Sequence, residues 1–196
     1  MLMNSRLLCM VLLVLLVYGC RKGVDSVEAD NVDRVVSVFA QDLYYEQLTE
    51  NQVFIVKEEL VSINESLDLN HLLNQMSQLV ILRISDQNCS VCVDAELEEL
   101  ENLQKKLTEK QVVVLASFEN KRELRILTEG VKKLGVPIFS IRFDKVHLPI
   151  EEVNIPYYFM LDSDWSVSNV FIPKKSFPDL TNTYFNAIAS KFNNSK

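Results

Sequence analysis

Glycine, proline and cysteine are scarce in this sequence, and their scarcity limits the kind of protein it encodes. Of the 196 residues only 4 are glycine and 5 are proline, and no segment is repetitive or of low complexity. With 48% hydrophobic and 24% charged residues, the chain suits one globular domain with a real core, preceded by a leader. A scaffold stapled by disulfides would need more than the 4 cysteines present, at wider spacing.

Basic patches and repeated metal-ligand patterns are also lacking. The chain has 20 Lys and Arg residues against 27 Asp and Glu residues, a net charge of −7, and its basic residues do not cluster. A nucleic-acid partner is therefore not expected. No second pair of Cys or His residues has the spacing of zinc ligands, which argues against a structural zinc site.

The first 20 residues form a separate segment. Arg6 precedes the apolar run from Leu7 to Val17, which is too short for a permanent transmembrane helix and matches the hydrophobic region of a signal peptide. The sequence Val17-Tyr18-Gly19-Cys20 resembles the bacterial lipobox, although Tyr18 stands where a small residue is more usual. The resemblance implies that Cys20 is lipidated and begins the mature chain. The alternative is an ordinary secretory signal with a stray cysteine.

Two cysteines spaced C-x-x-C follow a short run rich in Val and Ile, residues 79–84, which predicts a buried strand. After a polar turn the apolar pattern changes to helical spacing, so Cys89 and Cys92 lie where a helix begins. Unpaired backbone N–H groups and the positive end of the helix dipole stabilise a thiolate there, and the thiolate is the reactive form. With Cys9 removed in the leader and Cys20 lipidated, this pair remains. It indicates thiol–disulfide exchange.

Strands and helices alternate through the rest of the chain. From residue 79 the predicted order is β-α-β-α-β-β-β-α, which calls for parallel strands covered by helices, with a late hairpin adding antiparallel edges. Because such connections run right-handed, we expect an α/β fold in which a mixed sheet carries helices on both faces. Ser66 or Asp68, and Asn120, are the predicted N-caps. The predicted strands are 53–56, 60–63, 79–84, 112–116, 138–143, 157–161 and 166–172, and the predicted helices are 31–45, 69–73, 93–107, 120–134 and 178–192.

This element order, with C-x-x-C after the first core strand and Ile155-Pro156 before a hairpin strand, resembles the thioredoxin family. The likeness is greatest to the membrane-anchored thioredoxin-like lipoproteins of the Gram-negative envelope. It implies that Cys89 attacks a substrate disulfide and that Cys92 resolves the mixed disulfide, without a cofactor. It also implies that Pro156 is cis and faces the cysteines, with the backbone of Ile155 available to an incoming strand. A trans Ile155–Pro156 bond, or a Pro156 ring on the far side of the sheet from Cys89, would overturn this assignment and most of the thioredoxin interpretation.

The resemblance also implies a domain organisation, a location and partners. We expect a protein attached by lipid to a membrane of the cell envelope and facing the periplasm. Its expected partners are envelope proteins with thiols or disulfides, and an electron donor in the membrane or the periplasm. The predicted segments are a signal peptide (1–19), a tether (20–30), an N-terminal helical appendage (31–49) and a thioredoxin-like domain (50–196).

Several residues depart from the family pattern and bear on the direction of exchange. Asn88 stands where an aromatic residue usually precedes the first cysteine, and Ser90-Val91 separates the cysteines. The single tryptophan, Trp165, lies in the predicted hairpin turn. Acidic helix residues, among them Glu96, oppose a thiolate at Cys89, and no basic residue lies between the cysteines. We therefore expect a reductase, an isomerase or a weakly active relative rather than a strong oxidant.

Three other interpretations stay open at this point. The cysteines could form a disulfide that merely clips the start of a helix, although so small a ring removes little unfolded-state entropy. Cys89, Cys92 and His147 could form a copper site of the kind known on this fold. The chain could also be a redox-silent lipoprotein that binds an envelope partner. Insulin reduction separates an oxidoreductase from the last two, and copper(I) titration separates those two from each other.

Overall fold

The computed structural model describes residues 25–54, 60–63, 67–107 and 111–194. The predicted signal peptide and the predicted lipidation site, Cys20, lie outside these ranges. The chain divides into two compact units, residues 1–43 and residues 44–196. In the part that the structure describes, no helix is long and apolar enough to cross a membrane.

The described residues form five α-helices and six β-strands, in the order that the sequence predicts from residue 79 onward. Two short 3₁₀ helices, Phe143–Lys145 and Pro149–Val153, lie between β4 and β5. In chain order the elements are α1 (Asp25–Thr49), β1 (Val61–Ser62), α2 (Leu69–Met76), β2 (Gln78–Ser85), α3 (Ser90–Lys106), β3 (Val112–Ser117), α4 (Lys121–Lys133), β4 (Ile138–Ser140), β5 (Tyr157–Asp162), β6 (Val167–Phe171) and α5 (Pro178–Asn194).

The strands form one six-stranded mixed sheet in the order β1-β4-β3-β2-β5-β6. Strand β2 lies near its centre, parallel to β3 and antiparallel to β5. Strands β3 and β4 are parallel, whereas β1 and β6 pair with their neighbours in antiparallel fashion. The predicted α/β fold class, with parallel central strands and a late antiparallel hairpin, is confirmed.

Each face of the sheet carries its own hydrophobic core, because successive residues of a strand point to opposite faces. On one face, side chains of β2 such as Leu82 pack beneath α3, α4 and α5. On the other face, side chains such as Ile81 pack beneath α2, the 3₁₀ helix Pro149–Val153 and Phe54. Helices therefore cover both faces, and α3, α4 and α5 share one of them. The connections β2–β3 and β3–β4 step in the same direction across the sheet, so right-handed crossovers place α3 and α4 on the same side.

The local signals in the sequence give most boundaries to within a few residues. Asp68 caps α2 by accepting from the Asn70 N–H, and Asn120 caps α4 by accepting from the Arg122 N–H. Helix α1 differs, since it begins at Asp25 inside the predicted tether. Its first residues include acidic side chains, which are favourable at a helix N-terminus, and no glycine or proline that would interrupt it.

The strand predictions differ from the structure in two places. Of the predicted strand 53–56, Val53 makes an isolated bridge to Ser166 and Phe54 lies in no strand; residues 55 and 56 lie outside the described ranges. The predicted strand 138–143 ends at Ser140, because the chain turns into the 3₁₀ helix Phe143–Lys145.

Candidate redox site

The two cysteines lie at the carboxyl end of central strand β2, as the sequence predicts. The strand ends at Ser85, and after a short turn Cys89 occupies the N-cap position of α3. Cys89 and Cys92 form a disulfide with their Cα atoms 5.2 Å apart. The fold therefore holds both sulfurs at the N-terminus of a 17-residue helix, where helix-dipole and N–H effects favour a thiolate.

Hydrogen bonds fix the turn that presents Cys89. The Asn88 side chain accepts from the Ser85 N–H at 2.7 Å, and the Asn88 N–H donates back to the Ser85 carbonyl at 3.1 Å. Asp86 joins this turn to the neighbouring strand: its N–H donates to the Ser117 carbonyl, and its carboxylate accepts from the Glu119 N–H. Asn88, which departs from the family's aromatic residue, thus closes the turn in front of Cys89.

The two sulfurs differ in accessibility. Cys89 is exposed, whereas Cys92 is half-buried. The Cys92 backbone N–H donates to the Cys89 sulfur at 3.1 Å. When the pair is reduced, the same N–H is placed to donate to a Cys89 thiolate and so to stabilise the reactive form. Exposure and this contact favour Cys89 as the residue that meets a substrate; its catalytic role stays a prediction.

Glu96 lies four residues after Cys92, on the same side of α3, a spacing that brings Cβ atoms to within about 6 Å. It is buried, and its Oε2 atom has no hydrogen-bond partner among the described residues. Burial raises the pKa of Glu96 to about 7; hydrogen bonding by the Tyr158 side chain opposes this shift, and the nearby charge of Glu99 adds a smaller increase. Below that pH Glu96 is neutral, so there it does not oppose a thiolate in the way that its sequence position suggests.

The prediction that the Ile155–Pro156 bond is cis is wrong, because none of the peptide bonds between described residues is cis. Asn154 supplies the change of direction instead: it ends the preceding 3₁₀ helix in the left-handed conformation, at φ 55° and ψ 34°. The sheet register still brings the segment near the site. Tyr157 pairs with Arg83 in the antiparallel pair of β2 and β5. The two residues before Tyr157, Pro156 and Ile155, therefore lie near the end of β2 that leads to Cys89. The trans bond meets the condition set above and counts against the role that the resemblance implies for Pro156; that Ile155 and Pro156 bind substrate stays a prediction.

A buried ion pair ties the segment before Pro156 to strand β2. Arg83, only 1% exposed, makes two hydrogen bonds to the Glu151 carboxylate, at 2.9 and 2.8 Å. The Tyr157 hydroxyl donates to the same carboxylate at 2.5 Å. The remaining Arg83 nitrogen donates to the Ile84 carbonyl at 2.9 Å. Since every charged group here is paired, the network holds the 3₁₀ helix Pro149–Val153 against the sheet.

The structure separates the other candidate residues from the cysteines. Trp165 is buried in the hairpin turn after Asp162, which pairs with Gln78 at the opposite end of β2 from Cys89. His147 is exposed, between the two 3₁₀ helices. No three His, Cys, Asp or Glu side chains in the described part of the chain are grouped to hold a metal ion, so His147 does not join the cysteines in such a group.

Two features of the site are absent from the sequence-based predictions. Neither the Arg83–Glu151 pair nor the burial of Glu96 was predicted. An isolated arginine inside an apolar strand was the available signal for the first, because a buried charge requires a partner. The spacing of four residues from Cys92 was the signal for the second. The first signal does not identify Glu151 as the partner of Arg83, and the second does not show how deeply Glu96 is buried.

No protein-family model and no curated protein matches the chain. Among solved structures, it is similar to a putative thiol–disulfide oxidoreductase from Bacteroides vulgatus at 18% identity, covering 60% of this chain and 78% of that one, with a TM-score of 0.42. The thioredoxin domain of a Bacteroides vulgatus thiol–disulfide oxidoreductase gives 14% identity, 67% and 94% coverage, and a TM-score of 0.42. An uncharacterized thioredoxin-like protein from Porphyromonas gingivalis has 14% identity, with 72% of this chain and 95% of that chain covered and a TM-score of 0.43. These low identities and TM-scores leave the activity to be inferred from the site.

Proposed function

We propose that this protein is a thiol–disulfide oxidoreductase of the cell envelope, and that Cys89 and Cys92 carry its activity. The observation that carries the proposal is the position of the pair: two sulfurs at disulfide distance at the start of α3, with Cys89 exposed. A disulfide that merely clipped the helix would have no need of an exposed first cysteine.

In the proposed reaction the reduced pair gives two electrons to a substrate disulfide. The Cys89 thiolate attacks one substrate sulfur, which forms a mixed disulfide and releases the other substrate sulfur as a thiolate. The Cys92 thiolate then attacks the Cys89 sulfur, which frees the second substrate thiolate and leaves the Cys89–Cys92 disulfide. An external dithiol donor restores the reduced pair. In isomerisation a second substrate thiolate, instead of Cys92, attacks the substrate sulfur of the mixed disulfide; a new substrate disulfide forms and the Cys89 thiolate is released, with no net gain or loss of electrons.

We expect the Cys92→Ser variant to trap substrates, because it retains the attacking sulfur and lacks the resolving one. The dithiothreitol-reduced variant should form mixed disulfides with envelope proteins, seen as thiol-sensitive bands on non-reducing gels. The Cys89→Ser variant is the matched control and should trap far fewer. Trapping by Cys89→Ser alone would reverse the two roles. Absence of both trapping and insulin reduction would favour the redox-silent or copper-binding interpretations, which copper(I) titration then separates.

We further propose that Cys20 carries the lipid that attaches this protein to a membrane. Support comes from the sequence Val17-Tyr18-Gly19-Cys20 directly after an apolar run. Mass spectrometry of the mature protein should find Cys20 as the first residue, with a mass increase from acyl chains, and Cys20→Ser should lose both features. An unmodified Cys20, or cleavage at another position, would contradict the proposal.

A further inference from the structure

An open groove of about 550 Å³ runs between α3 and α4 and reaches the neighbours of Cys89, although neither cysteine lines it. Asn88 and Ser90, the residues on either side of Cys89, both line it. A polypeptide joined to Cys89 in a mixed disulfide therefore has this groove beside it.

Two helical stripes form the walls of the groove. Each helix contributes residues at positions i, i+3, i+4 and i+7, the spacing that places side chains on one face. Ile126 is 59% exposed although it is a large apolar residue. Gly130 keeps the far end open: a Cβ atom there would meet only the Leu97 Cδ1 atom, at 4.0 Å. The stripes consist of Ser90, Val93, Asp94 and Leu97 on α3 and of Glu123, Ile126, Leu127 and Gly130 on α4.

The charged residues that line this apolar surface are all acidic. Asp86, Asp94 and Glu123 line the groove, and none of its lining residues is Lys, Arg or His. Asp86 and Glu123 each accept one hydrogen bond from the protein, from the Glu119 N–H and from the Asn120 side chain. A carboxylate has acceptor capacity beyond one such bond. A ligand that pairs an apolar group with a positive charge therefore matches this groove.

We propose that the groove binds the segment next to the disulfide of a substrate protein, and that it selects segments with an apolar side chain beside Lys or Arg. This inference rests on the proposed function, because the occupant reaches the groove through its bond to Cys89. The apolar side chain packs between Val93, Leu97 and Ile126, and the basic side chain pairs with Asp94 or Glu123. Substrate choice is thus made on the α3–α4 side of the cysteines.

Peptide disulfides test this selection directly. Three synthetic peptides, oxidised as disulfide dimers, carry Leu-Lys, Leu-Glu or Ser-Lys next to the cysteine. The reduced protein should reduce the Leu-Lys peptide about tenfold faster than the Leu-Glu peptide, with Ser-Lys between them. Added salt should reduce the difference in rate between the Leu-Lys and Leu-Glu peptides, because salt screens exposed charges. Equal second-order rate constants for the three peptides would overturn the proposal.

Variants locate the effect in the groove. The Asp94→Asn/Glu123→Gln double variant should lose most of the preference for Lys over Glu. Glu98→Gln, an exposed α3 residue outside the groove, should keep it. Gly130→Leu, which fills the groove, should lower the rate for the Leu-Lys peptide toward that of Ser-Lys, whereas Gly130→Ala should not. Each peptide rate is divided by the same variant's rate with hydroxyethyl disulfide, which carries neither a leucine nor a charged side chain, so that any effect of a substitution on Cys89 itself cancels. A preference that survives the double variant would place recognition elsewhere.

A binding measurement keeps this test separate from the proposed function. A Leu-Lys peptide with serine in place of cysteine is titrated into the protein, and amide shifts in α3 and α4 are followed by NMR. If the protein reduces neither peptides nor hydroxyethyl disulfide, the proposed function fails, while these shifts still decide whether the groove binds such segments. Self-association that Gly130→Leu abolishes would identify a second copy as the occupant and would overturn the proposal.

Discussion

Glu96 lies on the side of α3 that faces the sheet, and burial changes the chemistry of its side chain. A glutamate at the helix surface is ionised at neutral pH, but the pKa of Glu96 is raised to about 7, chiefly because its charged form is poorly solvated. A raised carboxyl pKa means that the folded state binds a proton more tightly than the unfolded state does. The stability of the protein should therefore depend on the pH through this one group.

We expect Glu96 to destabilise the fold as the pH rises. Between its ordinary pKa near 4.5 and about 7, the folded state holds the proton that the unfolded state has lost, so stability falls as the pH rises through this window. Over this whole pH window the free energy of unfolding should fall by about 3 kcal/mol through Glu96. Glu96→Gln should have stability close to the wild type at pH 4.5 and exceed it by up to about that amount at pH 8. Urea unfolding of the oxidised wild type and of the oxidised Glu96→Gln variant, at pH 4.5 and at pH 8, measures these stabilities.

Glu98→Gln is the control for this substitution, because Glu98 is an exposed residue of the same helix. It should leave the pH dependence of stability unchanged. A Glu96→Gln variant whose stability follows the wild type at every pH would show that Glu96 is ionised and solvated in the folded protein.

At the scale of elements, the Arg83–Glu151 pair joins a central strand to a 3₁₀ helix 68 residues further along the chain. Both side chains lie on the sheet face that carries α2, and their relative side-chain exposures are 2% and 11%. A buried ion pair stabilises a protein little more than apolar residues of the same size would. Removing one partner is nevertheless strongly destabilising, because the other charge is left buried and unpaired. The pair therefore favours one arrangement of the segment that leads to Pro156.

We expect Arg83→Met to destabilise the protein by about 3–5 kcal/mol, and Arg83→Met/Glu151→Leu to recover a large part of that loss. Urea unfolding measures both variants. Arg142 provides the matched control: it pairs with Asp144 at 2.8 Å, but both side chains are more than half exposed. Arg142→Met should cost less than about 1 kcal/mol. Equal costs for Arg83→Met and Arg142→Met would mean that the Arg83 pair is solvated.

At the scale of the whole molecule, residues 44–54 belong to the same compact unit as the sheet. The carboxylates of Glu46 and Glu50 accept from the N–H groups of Ile172 and Val170, so they cover backbone donors at the edge formed by β6. Phe54 is 2% exposed and stacks on Trp165 in the core. These residues are therefore part of the folded domain, whose predicted start was residue 50.

We expect a chain of residues 44–196 to fold, to melt within a few degrees of the full chain, and to reduce insulin as fast as the full chain does under the proposed function. A chain of residues 55–196 should be much less stable, because it lacks Phe54, whose loss alone is worth about 3–5 kcal/mol, and because it exposes an edge strand. Thermal unfolding and insulin reduction of the two chains test this. Equal melting temperatures would show that residues 44–54 contribute nothing to the fold.

The sequence by itself determines the order of elements from residue 79 onward, the cap at Asn120, and the position of the cysteines at the start of α3. These features depend on interactions between residues two to four apart, and such interactions can be read from spacing. The α/β class follows from the same local order, because strands that alternate with helices form parallel sheets.

Only the tertiary structure decided the features of the site that join distant segments. Arg83 meets Glu151, Glu96 is buried against the sheet, Asn154 turns the chain so that Pro156 follows through a trans bond, and two helices enclose a groove. Each outcome depends on which segment packs against which. The free energy of burying a charge or of turning a loop is set by those neighbours, and spacing along the chain carries no information about them.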